Sequence, residues 1–402
     1  MNTGLKPGVV LEDQKKIKFI EHELARLWGI DKNAPFRGFF AKPVSLEKRH
    51  FQQLVKHSYT VSEKTDGVAF VLLTSRWPGF IDPRMSSFAV LVDSNERHFK
   101  MYEVAVYASP DYFQGSLFIA ELIWENPENG TSNPLQTLMI YDVASFKGQD
   151  VTRDSYIQRY NRLLDVFLSS SSEAQKTESK AWQKRAEELG SEGWMICAGN
   201  EYGLSFVLKE VQKDAKALMQ VWEKRATLRH QSDGLIFTPI HEPVGHGTQW
   251  TLFKYKQDHT LDFQFEGTRT IDEKFHWKLY FAQPSSTVPV QGTEASKAAK
   301  ADLIEMLHSP FELNVNGNME FQARLKVSKM LLTLLKKAMH LKTEKLNFIG
   351  ECRVAINERI LEISLERIRT EKTLPNWKYT VERTLVNIQE NISVQELVQL
   401  FH

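Results

Sequence analysis

Only two cysteines, Cys197 and Cys352, occur in the 402 residues, and they stand far apart. Neither a disulfide framework nor a paired-cysteine zinc site can be built from them, and the scarcity fits a reducing compartment. Long hydrophobic runs are missing too: no stretch approaches the roughly 18 apolar residues of a membrane span, and residues 1–10 carry no apolar segment with a cleavage signal. The expectation is an intracellular protein without an anchor or a membrane partner. Charge of one sign is absent as well. Fifty-one Lys and Arg against fifty Asp and Glu leave a net charge of +1, so any surface for nucleic acid must be local. No glycine-rich phosphate loop, nucleophile elbow or kinase signature is found.

What remains is the composition of a folded chain, 42% hydrophobic and 25% charged, with length for two or three domains at roughly 150 residues each. Ile17, Phe19, Ile20, Leu24, Leu27 and Trp28 recur at near-helical spacing and predict a lead-in helix within 1–33. A Gly/Pro-punctuated loop at 36–45 precedes a helix at 46–56. Runs rich in β-branched and aromatic residues then alternate with turns at 59–63, 68–73, 88–92, 102–108, 117–124 and 138–143. No strand-helix-strand alternation dominates, so a doubly wound parallel sheet is not expected. A helix at 149–168, an exposed helical insertion at about 169–200, a strand at 204–208, a helix from 214 to about 228 and strands at 235–239 and 251–255 follow.

Composition shifts near 258–266, where a domain boundary is placed. Short strands lead through a Ser/Pro/Gly-rich connector at 284–293 to a helical block at 295–346. Its Leu325, Met330, Leu331, Leu334, Leu335, Met339 and Leu341 form an apolar stripe. Lys326, Lys329, Lys336 and Lys337 form the other face, either solvated or a surface for RNA or a partner. Strands at 349–356 and 360–365, a turn at Pro375-Asn376 and a helix from about Ser393 complete the chain.

Three features could carry chemistry. Lys64 lies between a strand and the tight Asp66-Gly67 turn, in Glu63-Lys64-Thr65-Asp66-Gly67. As a nucleophile it must lose a proton, which at an ordinary pKa of about 10.4 requires neighbouring cations or burial; the alternative is a solvated lysine on a surface hairpin. Lys254 and Lys256 alternate with aromatics in Phe253-Lys254-Tyr255-Lys256, so both point to one face of a strand. Two parallel cations there could hold phosphates, or they could be an ordinary polar face. Glu121 and Asp233 stand among apolar strand residues, where a carboxylate must be paired, metal-bound or turned to solvent. His241, Glu242 and His246 lie in a Pro/Gly loop without zinc-hydrolase spacing and are read as loop residues.

Taken in order, these elements resemble the lysine-dependent nucleotidyltransferase superfamily, which comprises mRNA guanylyltransferases (capping enzymes), ATP-dependent DNA ligases and RNA ligases. Lys64-Thr65-Asp66-Gly67 matches the first motif, with Glu63 and Thr65 in the capping-enzyme spelling, and Pro43-Val44-Ser45 resembles the segment upstream of it. Leu138-Met139-Ile140-Tyr141-Asp142 resembles the strand whose aromatic stacks on the purine. His230 to Pro239, with Asp233-Gly234-Leu235-Ile236-Phe237, is close to the fourth motif, and Thr251 to Lys256 with Thr260-Leu261-Asp262-Phe263 to the fifth. Arg367 to Lys372 followed by Pro375-Asn376 resembles the sixth motif. Three departures stand out: Val68-Ala69 replaces an expected ribose-binding arginine, for which Arg76, Arg84 or Arg97 could substitute; Ala120 precedes Glu121 where glycine is usual; and Glu371 replaces an aspartate.

The resemblance implies an α+β fold. A nucleotidyltransferase domain of mainly antiparallel sheets with flanking helices would occupy 1–260, and a C-terminal OB-fold domain carrying the helical insertion of 295–346 would occupy 261–402. It implies GTP as substrate, Mg²⁺ or Mn²⁺ as cofactor, and Lys64 as the residue that takes GMP and passes it to a 5′-diphosphate RNA end. Glu63, Thr65, Asp66, Gly67, Glu121, Tyr141, Asp233, Lys254 and Lys256 would bind the nucleotide, and Glu121 and Asp233 the metal. Arg369 and Lys372 would reach the β and γ phosphates when the domains close, about a hinge near 258–263. A separate RNA triphosphatase and a cap methyltransferase are implied as partners, in nucleus or cytoplasm, or in a viral factory if the source is a virus. The alternatives are an ATP-dependent polynucleotide ligase and a non-catalytic RNA-end-binding relative.

Overall fold

The computed structural model describes residues 6–29, 41–79, 86–93, 100–108, 110–126, 135–168, 196–198, 204–245, 247–285, 301–370 and 372–401. Two units are distinguished. One comprises Met1–Val44, Phe51–Tyr255 and Leu397–His402, the other Ser45–His50 and Lys256–Glu396. Among the described residues no helix is long and apolar enough to cross a membrane.

In chain order the first unit contains β1 (Val9–Val10), α1 (Gln14–Leu27), β2 (Ala41–Ser45), α2 (Phe51–Lys56), β3 (Tyr59–Thr65), β4 (Val68–Arg76), β5 (Ser87–Asp93), β6 (Lys100–Tyr107), β7 (Ser116–Glu125) and β8 (Leu135–Phe146). It continues with β9 (Gln149–Asp150), α3 (Tyr156–Leu168), β10 (Ile196–Ala198), β11 (Leu204–Leu208), α4 (Leu218–Lys224), β12 (Ser232–Pro239) and β13 (Gly247–Lys256). A large sheet has the order β1-β6-β5-β4-β7-β8-β11, with β10 on β6 and β9 on β8; a smaller one has the order β2-β13-β12-β3. Pairing in the large sheet is antiparallel except between β8 and β11.

The large sheet is apolar on both faces, which is why its strands read as near-continuous hydrophobic runs. Phe70, Leu72, Phe118 and Ile140 pack on one side with Leu163 and Val166 of α3. Val71, Leu73, Val90 and Ile119 pack on the other with Ile20, Leu24 and Leu27 of α1. Each such fully buried side chain contributes about 1.5–3 kcal/mol of transfer free energy. Asp13 caps α1 by accepting from the amides of Lys15 and Lys16.

The second unit contains β14 (Thr260–Arg269), β15 (Phe275–Pro284), β16 (Ala301–Glu305), β17 (Phe311–Asn314), β18 (Asn318–Lys326), α5 (Lys329–His340), β19 (Lys345–Asn357), β20 (Ile360–Ile368) and α6 (Lys378–Glu390); α7 (Val394–Leu400) ends the chain. Its strands form one sheet in the order β16-β15-β14-β19-β20-β18-β17. The core is built from Phe263, Phe265, Phe281, Phe311, Phe321, Leu361 and Leu385.

Three expectations are corrected, and one helix appears that none of them covered. The helical block at 295–346 is three strands followed by one helix, with 286–300 outside the described residues. Phe311–Asn314 alternates buried and exposed, the period of a strand, and Asn316 and Gly317 both take positive φ in the β17–β18 turn. Only Lys329–His340 is helical, capped by Ser328. The loop expected at 36–45 contains β2, whose place at a sheet edge tolerates Pro43. The helix expected from 149 starts at Tyr156, after β9, where Gln158 accepts from both the amide and the hydroxyl of Ser155. Helix α6, with Val381, Leu385 and Val386 buried, was not anticipated. The insertion at about 169–200 lies outside the described residues except for Ile196–Ala198, a strand.

Candidate active site

Within the first unit a cavity of about 390 Å³ lies between the large sheet and the small one. Ser62 and Lys64 of β3, Ile236 and Thr238 of β12 and Leu252 of β13 line one wall; Ile119, Glu121, Tyr141 and Asp142 line the other. Register explains the first wall: Ser62 pairs with Ile236 and Lys64 with Gly234, so the alternating residues share a face. Alternation along β13 puts Lys254 and Lys256 on the face of Leu252, while Phe253 and Tyr255 are buried on the other.

Two β-bulges aim side chains that regular pleating would turn away. On β12 the register shifts between Ser232 and Gly234, making Asp233 the extra residue. Its Oδ1 accepts from Lys64 Nζ at 2.8 Å. On β8 the register shifts between Asp142 and Ile140, making Tyr141 the extra residue, so that adjacent Tyr141 and Asp142 both face the cavity. Bulges concentrate where a side chain must be re-aimed beside a site.

The turn after Lys64 is held from below. Glu121 Oε1 accepts from the Gly67 amide at 3.0 Å. A Cβ at Gly67 would lie 2.6 Å from the Leu122 carbonyl and 2.7 Å from Glu121 Cγ; close approach, not backbone twist, demands glycine there. Asp66 donates its amide to the Gln231 carbonyl at 2.9 Å.

A buried lysine that the sequence reading did not single out completes the site. Lys209 is 6% exposed. It donates to Thr65 Oγ1 and lies 3.9 Å from Glu63 Oε1 and 3.8 Å from Glu121 Oε2. Its Nζ stands 5.9 Å from the Tyr141 ring centroid. Glu63 is turned away from Lys64, as alternation requires, and its Oε1 accepts from Thr65 at 3.2 Å and pairs with His230 Nε2 at 3.1 Å. Burial pushes the Glu63 carboxyl up, but His230 and Lys209 outweigh it and hold the group below the usual carboxylate range. Burial would lower His230, yet the Glu125 and Glu63 carboxylates on either side raise it to about 9. Burial, with the Glu121 and Asp142 charges, pushes the Tyr141 phenol far up, so it stays neutral.

Arg159 on α3 also lines the cavity. Its Nε and Nη2 donate to the two Asp142 oxygens at 2.8 and 2.9 Å, and its Nη1 donates to the Glu242 carbonyl at 3.0 Å. Sequence alone did not single it out, although an arginine on the apolar face of Tyr156, Tyr160 and Leu163 is a signal that could have. Of the three arginines weighed for the ribose, Arg76 donates to the Pro110 carbonyl and does not line the cavity, whereas Arg84 and Arg97 lie outside the described residues. Glu242 accepts from Gln249 and Thr251 at the cavity edge, His241 is exposed, and His246 lies outside the described residues.

In the second unit Arg369 Nη1 donates to Asp262 Oδ1 and to Glu351 Oε2, each at 3.1 Å. Lys372 donates to Asp262 Oδ2. Asp262 is 4% exposed. Asn376 fixes its backbone, accepting from the Asp262 amide at 2.7 Å and donating to its carbonyl at 2.8 Å. Glu371 lies outside the described residues. Among the described residues no group of three or more His, Cys, Asp or Glu could hold a metal by itself.

The family model described as mRNA capping enzyme, catalytic domain, matches residues 6–258. An mRNA-capping enzyme subunit alpha from Schizosaccharomyces pombe is 24% identical over 98% of this chain and 86% of its own length. A protein of the same name from Neurospora crassa is 21% identical over 98% of this chain and 90% of its own. Among solved structures, a mycobacterial DNA ligase D complexed with ATP and MES aligns over 85% of this chain and 98% of its own, at 10% identity and a TM-score of 0.37.

Proposed function

The chain belongs to the family of mRNA capping enzyme catalytic domains, and from that premise we propose that its mRNA guanylyltransferase activity runs through a lysyl-GMP intermediate on Lys64. The observation that carries this reading is the Lys64–Asp233 ion pair on one wall of a cavity whose other wall presents Tyr141. Lys64 must shed a proton to solvent before it reacts, and Asp233 Oδ1, its hydrogen-bond partner at 2.8 Å, holds the Nζ in place. The neutral amine attacks the α-phosphorus of GTP; a P–N bond forms, the α–β bridging P–O bond breaks, and pyrophosphate leaves. A 5′-diphosphate RNA end then attacks the same phosphorus, and Lys64 departs with a proton regained.

Selection of the base follows from donor and acceptor chemistry. The Tyr141 ring offers a stacking face, for which base–aromatic contact contributes about 1–3 kcal/mol. The ammonium of Lys209 has three donors and no acceptor, and one donor is engaged by Thr65. What it meets in the cavity must accept, as guanine O6 does and the adenine amino group at the same position does not. Lys254 and Lys256 neutralise phosphate charge from β13. The carboxylates of Asp233 and Glu121 are hard oxygen donors suited to Mg²⁺ or Mn²⁺, with the other ligands coming from water and the substrate. Such an ion would supply charge neutralisation at the phosphates.

The second unit is read as the OB-fold domain, the first as the nucleotidyltransferase domain. Arg369 and Lys372 would engage the β and γ phosphates when the two close, making pyrophosphate the leaving group. The γ-phosphate of the RNA end and the methyl group of the cap are left to a separate triphosphatase and methyltransferase, in nucleus or cytoplasm.

The test mixes the chain and Mg²⁺ with α-labelled GTP or ATP and follows label on the denatured protein, beside Lys64→Met. Label from GTP alone, lost in the variant, is expected. Label from ATP would move the protein to the ligases, and none from either would leave a binding protein.

A further inference from the structure

Behind β3, on the side away from Lys64, a buried chain of polar groups leads to the base end of the cavity. His230 Nε2 meets Glu63 Oε1 at 3.1 Å, Thr65 Oγ1 meets the same oxygen at 3.2 Å, and Lys209 Nζ donates to Thr65 Oγ1. The proton order is forced. Lys209 can only donate, so Thr65 accepts from it and gives its own hydrogen to Glu63. Glu63 Oε1 is then an acceptor twice over, which requires a proton on His230 Nε2, and the His230 and Lys209 charges favour the ionised carboxylate. On its other side His230 Nδ1 faces Glu125 Oε1 at 3.9 Å, a charge contact beyond hydrogen-bond range. The His230 side chain is 6% exposed, and that of Lys209 7%.

Three elements meet here: β3 supplies Glu63, β7 supplies Glu125, and the segment before β12 supplies His230. Glu210 and Lys224 line the small cavity of about 270 Å³ beside them. A histidine between two carboxylates could merely staple strands together. What argues against that alone is the destination: the chain it starts ends on the lysine that faces Tyr141.

We propose that His230 is a positioning residue for base selection: clasped between Glu63 and Glu125, it fixes the direction of the chain through Glu63 and Thr65 and so keeps the Lys209 donors aimed at the base. The proposal rests on the reading of the cavity as a guanine nucleotide site. A neutral group at 230 leaves Glu63 with less counter-charge, and Glu63 then draws the Lys209 ammonium, now 3.9 Å away, toward itself and out of the cavity. Networks of this kind act as units, so partial removal shifts the remaining members.

The experiment measures lysyl-nucleotide formation by the full chain across a range of GTP and, separately, ATP concentrations, for wild type, His230→Gln and Thr65→Val. Thr65→Val breaks the chain one link nearer the base while leaving the His230–Glu63 pair intact. Both variants are expected to raise KM for GTP about tenfold. Both should also narrow the GTP-over-ATP preference about tenfold, and in His230→Gln the rate at saturation should stay within about twofold of wild type. Reduced labelling amplitude with KM and base preference unchanged in His230→Gln would mean a structural staple only and overturns the proposal. If that variant does not fold, an unaltered KM and preference in Thr65→Val overturns it equally. A wild type that forms no lysyl-nucleotide with either base removes the guanine reading, and the proposal with it.

Discussion

Asp233 Oδ1 lies 2.8 Å from Lys64 Nζ because Asp233 is the extra residue of a bulge in β12. Without that extra residue the strand would present Gly234 opposite Lys64 and no carboxylate. The ion pair is only partly shielded, with the Lys64 side chain 19% and that of Asp233 37% exposed. Its worth is therefore sought in catalysis and not in stability.

Asp233→Asn keeps the shape and removes the charge. Lysyl-GMP formation in single-turnover labelling is expected to fall about 10²-fold, the size of loss that misplacing a reacting group produces. The thermal midpoint should stay close to wild type. Equal losses of rate and of midpoint would sink the assignment.

Tyr141 is expected to act through its ring. Tyr141→Leu should raise KM for GTP roughly tenfold, from about 1–3 kcal/mol of lost stacking, whereas Tyr141→Phe should change it little. Steady-state labelling at several GTP concentrations decides. A phenylalanine variant as impaired as the leucine one would point to the hydroxyl instead.

Arg159 and Asp142 form a buried two-bond pair. Truncating Arg159 to Ala leaves a carboxylate that is 9% exposed without its partner. Urea unfolding should show a loss of about 3–5 kcal/mol, and a loss under about 1 kcal/mol would contradict the pairing.

The His230 ion links stability to pH. Its ordinary pKa of 6.5 is raised to about 9 in the fold, so the folded state binds the proton more tightly. The resulting stabilisation, on the order of 3 kcal/mol shared with the two carboxylates, is complete below pH 6.5. It drains away as pH rises to about 9. The gap in thermal midpoint between wild type and His230→Gln should therefore be widest near pH 6 and should shrink through pH 9. A gap independent of pH would show that His230 carries no extra proton.

Gly67→Ala brings a methyl group to within 2.6 Å of a backbone carbonyl. Overpacking of this kind costs about 1–3 kcal/mol, and it displaces the turn that Glu121 holds. Calorimetry should record a lower midpoint, together with slower labelling by GTP.

How much of this could be read from the residues depends on the range of the interaction. Strands β4, β5, β7 and β8 were legible because they are buried on both faces and read as apolar runs, and β3 because it starts Tyr59-Thr60-Val61. The Lys64 turn was legible because Asp66-Gly67 marks it locally. Tyr141 was recognised through resemblance and Asp233 as a carboxylate beside apolar strand residues, but what aims them was hidden: a bulge shifts the pleat by one residue and leaves no local mark in composition. Lys209 escaped notice because its partners lie far away, Thr65 being 144 residues earlier. The region after 301 misled because the apolar stripe of α5 was extended backward over β16, β17 and β18. There the alternation of Phe311 and Leu313 with Glu312 and Asn314 and the Asn316-Gly317 turn were the stronger signals.

Asp262 gives Arg369 and Lys372 a shared counter-ion that is almost wholly buried and is tied by both backbone groups to Asn376. An incoming phosphate therefore does not meet two bare cations; it has to compete with a buried carboxylate whose backbone is fixed, and at Arg369 with Glu351 as well. A group of single negative charge exchanges one such contact for another and gains little. A di- or triphosphate brings surplus charge and several oxygens, and can hold both cations at once. Under the reaction proposed above, the arrangement would set a valence threshold, with this face responding to nucleoside triphosphate and pyrophosphate and ignoring a monophosphate carried on Lys64.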